Sequence, residues 1–367
     1  MTRARVISVD AMGGDKGPAP VLGGLNRALR ESPDLRFILH GDEAELARFL
    51  RKRSFAALRA RIELRHTADV VRMADKPSRA LREHRGSSMW NAIETVKKGE
   101  AAAVVSSGNT GALMAMSVLL LRKAPGIDRP AIAVHWPSSA PHGYNTVLDM
   151  GADIRADARN LVQYAVMGAE YARINFGLER PRVGILNVGT EATKGRHDLR
   201  EALDILLAVS AEDDAGFECV GFVEGTQMFA KGVDVFVTDG FTGNVALKTA
   251  EATAAFIRAG LREAFQHTVL SRLAALVAMT SLKRFARRID PRRVNGGVFL
   301  GLNGAVIKSH GSADAVGFEA AVGLAARMAA TDFATGVEQR LARINSMTAE
   351  ERAQHAARHS TERGADE

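Results

Sequence analysis

The chain has 367 residues, 46% of them hydrophobic and 5% aromatic, with one cysteine and a formal net charge of +7. That length suits one large α/β domain or two modest ones, and a single cysteine excludes an intramolecular disulfide. So few aromatic residues argue against a surface that stacks single-stranded bases, and strand-like residues from Arg5 leave no N-terminal apolar signal segment, so a reduced, cytosolic protein is expected.

Strand-length apolar runs alternate with helix-length patterns almost from end to end. Residues 6–9 read as a strand that ends in Asp10-Ala-Met-Gly-Gly-Asp15. A helix follows, entered through Pro18 or Pro20, because proline suits a first turn. Residues 37–39 and 62–64 are the next strands. A helix over 88–98 ends at Gly99, a buried strand covers 102–105, and a helix covers 110–123. Strands over 132–135 and 146–148 precede a long helix, 156–176, that stops at Gly177. A strand over 183–187 and a helix near 198–209 come next, then strands over 220–223 and 233–238. Helices run from about 244 through 289. A last strand, 305–308, precedes a helix from 313 onward.

This alternation predicts an α/β fold, a doubly wound and mostly parallel sheet with helices on both faces. One catalytic domain is expected over 1–345, with a helical excursion at about 255–292. The remainder, 346–367, is highly charged and poor in large apolar residues, so it reads as a flexible tail.

Three strand ends carry the same device: an apolar run, a glycine-bearing turn and a helix start. They are Val105-Ser-Ser-Gly-Asn-Thr-Gly111, Leu186-Asn-Val-Gly-Thr-Glu-Ala-Thr-Lys-Gly195 and Val237-Thr-Asp-Gly-Phe-Thr-Gly-Asn244. Such junctions leave backbone N–H groups unpaired and aim the positive end of a helix dipole at one point, so an anion, phosphate above all, is the expected ligand. In the first device, Asn109 or Thr110 can cap the helix, while Gly108 and Gly111 let a ligand approach the backbone. In the second, Lys194 lies within reach of an anion beside Gly189 and Thr190. In the third, Gly243 and Asn244 stand at the helix start, and Lys248, about one turn on, reads as a surface lysine.

Two further strand ends are candidates. Lys308 and His310 follow the last strand as potential cations, with Ser312 as a potential cap. The loop holding Asp10, Gly13, Gly14 and Asp15 leaves two readings open: a turn whose aspartates cap nearby N–H groups, or the mouth of the site. It lacks the spacing of a dinucleotide fingerprint. No nucleophile elbow, zinc motif or phosphate-loop lysine motif occurs, and Cys219 in a strand reads as a small buried hydrophobe. No covalent intermediate, metal or cofactor is expected.

The charge is concentrated. From Arg258 to Arg293 nine Arg and Lys stand against Glu263 and Asp290, a surplus of seven that equals the whole net charge. This window holds an amphipathic segment with Leu270, Leu273, Leu276 and Val277 at helical spacing, followed by Arg284, Arg287 and Arg288. At 269–282 it is too short for a membrane span of roughly 20 residues. It reads as a dimer interface, or as a helix that meets anionic lipid or an acidic partner; nucleic acid is not expected, for want of a reading motif.

Several of these stretches together resemble the PlsX-type phosphate acyltransferases. The motifs are Val9-Asp-Ala-Met-Gly-Gly-Asp15, Lys76-Pro-Ser78, Ser107-Gly-Asn-Thr-Gly-Ala-Leu-Met-Ala115, Leu148-Asp-Met-Gly-Ala152, Asn187-Val-Gly-Thr-Glu191 with Lys194-Gly195, Thr238-Asp-Gly-Phe-Thr-Gly-Asn-Val245 and Lys308-Ser-His-Gly311. The resemblance spans about residues 6–334. It implies that inorganic phosphate attacks the thioester of an acyl-acyl-carrier-protein, giving acyl phosphate for phospholipid synthesis and, downstream, for a glycerol-3-phosphate acyltransferase. It further implies a fold like that of phosphotransacetylases and isocitrate/isopropylmalate dehydrogenases, a homodimer, and peripheral contact with the inner face of the cell membrane. Lys194 and Asn244 match the lysine and asparagine on which the family relies.

The residues fit that chemistry. Phosphate is itself an anionic oxygen nucleophile, so no activated Ser or Cys is required. Loop N–H groups, Lys194 and His310 can hold it, and Asn244 can donate to the developing oxyanion. Two rivals are a nicotinamide-dependent dehydrogenase of related fold and a non-enzymatic adaptor at the membrane surface.

Overall fold

The computed structural model describes residues 5–212, 214–282 and 296–346. Its first elements are β1 (Val6–Asp10), α1 (Pro18–Glu31), β2 (Arg36–Gly41), α2 (Glu43–Leu50), α3 (Ala56–Arg59), β3 (Ile62–His66), α4 (Pro77–Glu83), α5 (Ser88–Lys97), β4 (Ala103–Ser106) and α6 (Thr110–Leu121). There follow β5 (Ala131–Pro137), β6 (Tyr144–Leu148), α7 (Ala158–Phe176), β7 (Arg182–Leu186), α8 (His197–Ser210), β8 (Glu218–Val223) and β9 (Val235–Val237). The last are α9 (Gly240–Gln266), α10 (Val269–Val277), β10 (Gly297–Leu300), β11 (Ala305–Lys308), α12 (Ala315–Ala329) and α13 (Phe333–Ser346).

The helix boundaries follow local chemistry. Ser87, Asn109, Asp157, Asp239, Thr268 and Asp314 each cap a helix by accepting a backbone N–H with the side chain. Gly177 ends α7 in the left-handed region, at φ 68°.

The described strands form one sheet in the order β3-β2-β1-β4-β11-β10-β5-β6-β9-β7-β8. Strands β3, β2, β1, β4 and β11 are mutually parallel, as are β6, β9, β7 and β8. Between the two blocks, β10 pairs antiparallel with both β11 and β5, and β5 pairs antiparallel with β6. Three reversals set the blocks in opposite senses. The mostly parallel sheet with helices on both faces is therefore present, but as two counter-running halves.

Each face has its own core. One combines α1, α7, α8, α12 and α13 around Leu22, Phe37, Tyr164, Tyr171, Leu206, Phe318 and Leu341. On this face Gly24 of α1 lies so close to α12 that a Cβ there would stand 2.7 Å from Phe318 Cβ. The other core combines α5 and α6 with Met89, Leu113, Met116, Trp136, Val147 and Phe236, and Ala246, Leu247 and Ala250 of α9 pack against it. The helices that begin at two of the anticipated loops, α6 and α9, thus share one face.

Several details differ from the sequence reading, which gave no helix at α2, α3 or α4. Strand β10 was not anticipated: two glycines precede Val298-Phe-Leu300, and glycine at a strand's start weakens the strand signal. The helical stretch from 244 starts earlier, at Gly240, and breaks at His267–Thr268, where Thr268 caps α10. The last helix splits around Thr331 and Asp332 into α12 and α13. Beyond its first turns α9 leaves the sheet. Phe256 is 80% exposed, and α10 has no buried residue, with Leu270, Leu273, Leu276 and Val277 all in the open.

Candidate active site

Three loops at the carboxyl ends of β1, β4 and β11 close on one another. Asp15 donates its N–H to Gly311 O at 3.0 Å. A Cβ on Gly14 would stand 3.3 Å from Ser107 Cβ and 3.4 Å from Gly311 O, and one on Gly13 would stand 2.9 Å from Gly108 Cα. Glycine is what lets these backbones meet. Asp10 is fully buried beneath them and accepts from Met12 N, Gly13 N, Ser88 Oγ and Ser106 Oγ. The turn reading of the Asp10–Asp15 loop holds, since Asp10 accepts the N–H groups of Met12 and Gly13, and the loop packs against those that follow β4 and β11.

Asn109 caps α6 through Ala112 N, while its amide donates to the carbonyls of Met73 at 2.8 Å and Asp75 at 2.9 Å. Its side chain is committed to the scaffold, which leaves only its backbone for a ligand. It also fixes the 69–76 segment over the site, where Pro77 packs on Gly111. Thr110 opens α6, beside Gly108 and Gly111.

Lys308 ends β11 and reaches the carbonyls of Ser107 and Ser309. Burial pushes its ammonium down to about 8, with Asp10 and Asp15 opposing the shift and Lys248 adding to it. Burial lowers His310 too, helped by Lys308 and Lys248 and opposed by Glu251 and Asp15. Lys248 and Glu251 belong to α9, so the second half of the sheet acts electrostatically on the first.

The second set of loops follows β6, β9 and β7, which are neighbours. Asp149, fully buried at the end of β6, accepts from the N–H groups of Ile132, Gly151, Ala152 and Asp153. Burial pushes its carboxyl up to about 6 against the pull of those donors. Gly243 lies against the Asp149 carbonyl, and a Cβ on Gly151 would stand 3.5 Å from Asn244 Cβ. Asn244 itself is exposed, on the second turn of α9.

Lys194 lies in the loop after β7, half exposed, with Nζ 2.7 Å from Glu191 Oε1. The Lys194 hydrogen bond holds the Glu191 carboxyl below its usual range. Gly189 is buried against the Lys194 side chain, and Thr190 is exposed beside it. Asn187 donates to Lys194 O at 3.2 Å and closes the loop; its side chain fills the space a Cβ on Gly195, at φ 86°, would need. Arg196 then donates to Asp239, the cap of α9, at 2.7 Å. The lysine loop and the asparagine helix are joined directly.

The site residues therefore fall into two groups, one on each half of the sheet, joined through α9. Arg284, Arg287 and Arg288 lie outside the described residues. Sequence reasoning passed over Ser88, Ser106, Asp149, Glu191, Arg196 and Asp239 as members of the site. Asp149, Glu191 and Asp239 stood in the quoted motifs; Ser88 gave no signal beyond a helix start.

A family profile described as "Fatty acid synthesis protein" matches residues 5–336. The phosphate acyltransferase of Ruegeria sp. is 57% identical over 93% of this chain and 90% of its own length. That of Dinoroseobacter shibae is 58% identical over 92% of this chain and 86% of its own. Among solved structures, a phosphotransacetylase from Streptococcus pyogenes covers 90% of this chain and 95% of its own with a TM-score of 0.58 at 17% identity, which shows a shared fold. A profile match across nearly the whole domain and relatives above half identity agree: this chain belongs to the phosphate acyltransferase family.

Proposed function

We propose that the protein joins inorganic phosphate to the acyl group of an acyl-acyl-carrier-protein. A phosphate oxygen attacks the thioester carbonyl, the C–S bond breaks, and acyl phosphate and the carrier thiol leave. The thiolate takes up a proton as it departs. Lys194 and Lys308 hold the phosphate among the glycine-rich turns, with His310 as a ring N–H donor and Gly108, Asn109, Thr110, Gly111, Gly189, Thr190 and Gly243 shaping the walls. Asn244 donates to the carbonyl oxygen as charge develops on it.

The observation that carries this reading is the tie between Arg196 and Asp239, which brings the lysine loop against the start of the asparagine helix. Incubation with an acyl-carrier-protein thioester and phosphate yields acyl phosphate, trapped as the hydroxamate. Absence of product at high enzyme concentration overturns the reading. Titration with nicotinamide cofactors addresses the dehydrogenase alternative, whose nucleotide fingerprint this sequence lacks.

The proposal extends to a homodimer, to peripheral contact with the inner face of the cell membrane, and to supply of a glycerol-3-phosphate acyltransferase. Its support is the apolar surface of α9 and α10: Phe256 is 80%, Leu270 77% and Val277 90% exposed. No helix among the described residues is long and apolar enough to cross a membrane. Sedimentation and flotation with anionic vesicles, each repeated on a Leu270→Glu, Val277→Glu variant, check both contacts. Unchanged mass and unchanged flotation remove them.

A further inference from the structure

Strands β1, β4 and β11 end level. Asp10 is the register partner of Ser106, and Ser106 is the partner of Lys308. Register partners in a parallel sheet turn their side chains to the same face, so a carboxylate, a hydroxyl and an ammonium stand in one row. The row is organised from one end. Ser106 Oγ donates to Asp10 Oδ2 at 2.7 Å and accepts Gly108 N–H at 3.0 Å. Ser88 Oγ, from the first turn of α5, donates to Asp10 Oδ1 at 2.7 Å, and Oδ1 also takes the N–H groups of Met12 and Gly13, each at 3.2 Å. The four contacts to Asp10, from Met12, Gly13, Ser88 and Ser106, each bring a hydrogen to its carboxylate. Asp10 is fully buried.

We propose that Asp10 is a positioning residue that acts on phosphate through Lys308: it pins the β1 and β4 turns with its hydrogen bonds and holds the Lys308 ammonium in its charged form with its own charge. This rests on the reading of the site as a phosphate site. The ammonium is the counter-charge for the incoming anion, and it donates to the carbonyls of Ser107 and Ser309. The charged and titratable groups that face it are Asp10 on β1, Asp15 in the following loop, His310 on its own loop and Lys248 on α9. Of these, Asp10 and Asp15 favour the charge, while burial and Lys248 oppose it.

The test is the alkaline limb of kcat/KM for phosphate in Asp10→Asn. Loss of this opposite charge moves that limb to lower pH. In Ser88→Ala, which removes a hydrogen bond and no charge, stability falls and the limb stays in place. In Lys308→Arg the guanidinium keeps its charge, so the limb near 8 disappears. A limb unmoved in Asp10→Asn, or one that persists near 8 in Lys308→Arg, overturns the proposal. A second readout is independent of turnover: competitive acetylation of Lys308 by acetic anhydride, followed against pH by peptide mass. There, Asp10→Asn makes Lys308 reactive at lower pH. If the wild type forms no acyl phosphate yet this shift occurs, the functional reading fails and only the coupling of Asp10 to the Lys308 charge stands. If acyl phosphate forms and the shift is absent, the reverse holds.

Discussion

The Arg196 guanidinium donates to the Asp239 carboxylate at 2.7 Å, although Arg196 is more than half exposed and Asp239 only 5%. Asp239 also accepts Thr242 N–H at 2.8 Å, so one carboxylate caps α9 and anchors the loop that carries Lys194. Removing the arginine leaves one oxygen of the buried Asp239 carboxylate without its partner, at a cost of about 1–3 kcal/mol in stability. It frees the lysine loop to drift relative to Asn244. Arg196→Ala therefore loses roughly 10- to 100-fold in kcat, as expected when reacting groups are misplaced by an ångström. Thermal melting and steady-state rates on the same preparation check this. Wild-type kcat in the variant would show that the tie does not align the two residues.

Lys194→Ala abolishes turnover and leaves the far-ultraviolet circular dichroism unchanged, since the side chain is half exposed and its ion-pair partner is the exposed Glu191. Asn244→Ala retains phosphate affinity and loses about 10²- to 10³-fold in kcat, the usual effect of one missing oxyanion donor. The split between KM and kcat assigns the roles. A rise in the phosphate KM for Asn244→Ala with kcat intact would place Asn244 in binding instead.

Periodicity carried most strands and the long helices because each is a run of apolar residues with a turn at its end. It did not carry β10, whose three apolar residues follow Gly296 and Gly297, or the opposition of the two half-sheets, which depends on that strand. The glycines of the site were legible as turns. Their partners were not: the Asp10 to Ser88 hydrogen bond joins residues 78 apart in sequence, and the Arg196 to Asp239 bond joins residues 43 apart. No local pattern announces such pairs. Asn109 shows the converse. Its place before a helix predicted both a cap and a ligand contact, and only packing reveals that its amide is spent on the 69–76 segment.

His40 is buried at the end of β2, and its Nε2 lies 3.1 Å from Thr95 Oγ1. Thr95 gives its hydroxyl hydrogen to Asn91 O, so the imidazole is the donor in that contact. Nδ1 is left without a hydrogen-bond partner among the described residues. Burial, with Arg65 adding to it, lowers this histidine to about 4 from 6.5. Between those values the unfolded chain binds more protons than the folded one, so stability rises with pH from 4 to 6.5 and is lost as pH falls through that window. The contribution is up to roughly 3 kcal/mol. In His40→Gln, whose amide can still donate to Thr95, urea midpoints at pH 7, 5.5 and 4 decline less steeply than in the wild type. Parallel declines would mean that His40 does not titrate in this range.

Two glycines of α9 give opposite expectations for the same substitution. Gly243 sits in the first turn with its Cα against the Asp149 carbonyl, and an added methyl group would overlap that oxygen. Neither partner has slack: Asp149 is clamped by four backbone donors, and the helix start is fixed by Asp239. Gly243→Ala therefore destabilises by about 1–3 kcal/mol and displaces Asn244, with a loss of kcat larger than the stability change explains. Gly260 lies in the exposed middle of the same helix with nothing within 4 Å of a Cβ. There the methyl group meets only solvent and lowers the conformational entropy of the unfolded chain, so Gly260→Ala stabilises by about 0.5–1 kcal/mol with kcat unchanged. Melting curves and acyl phosphate assays on both variants check the pair. Destabilisation by Gly260→Ala would mean that the outer half of α9 is covered by a second surface, and then the apolar residues beyond it are an interface of the protein's working form.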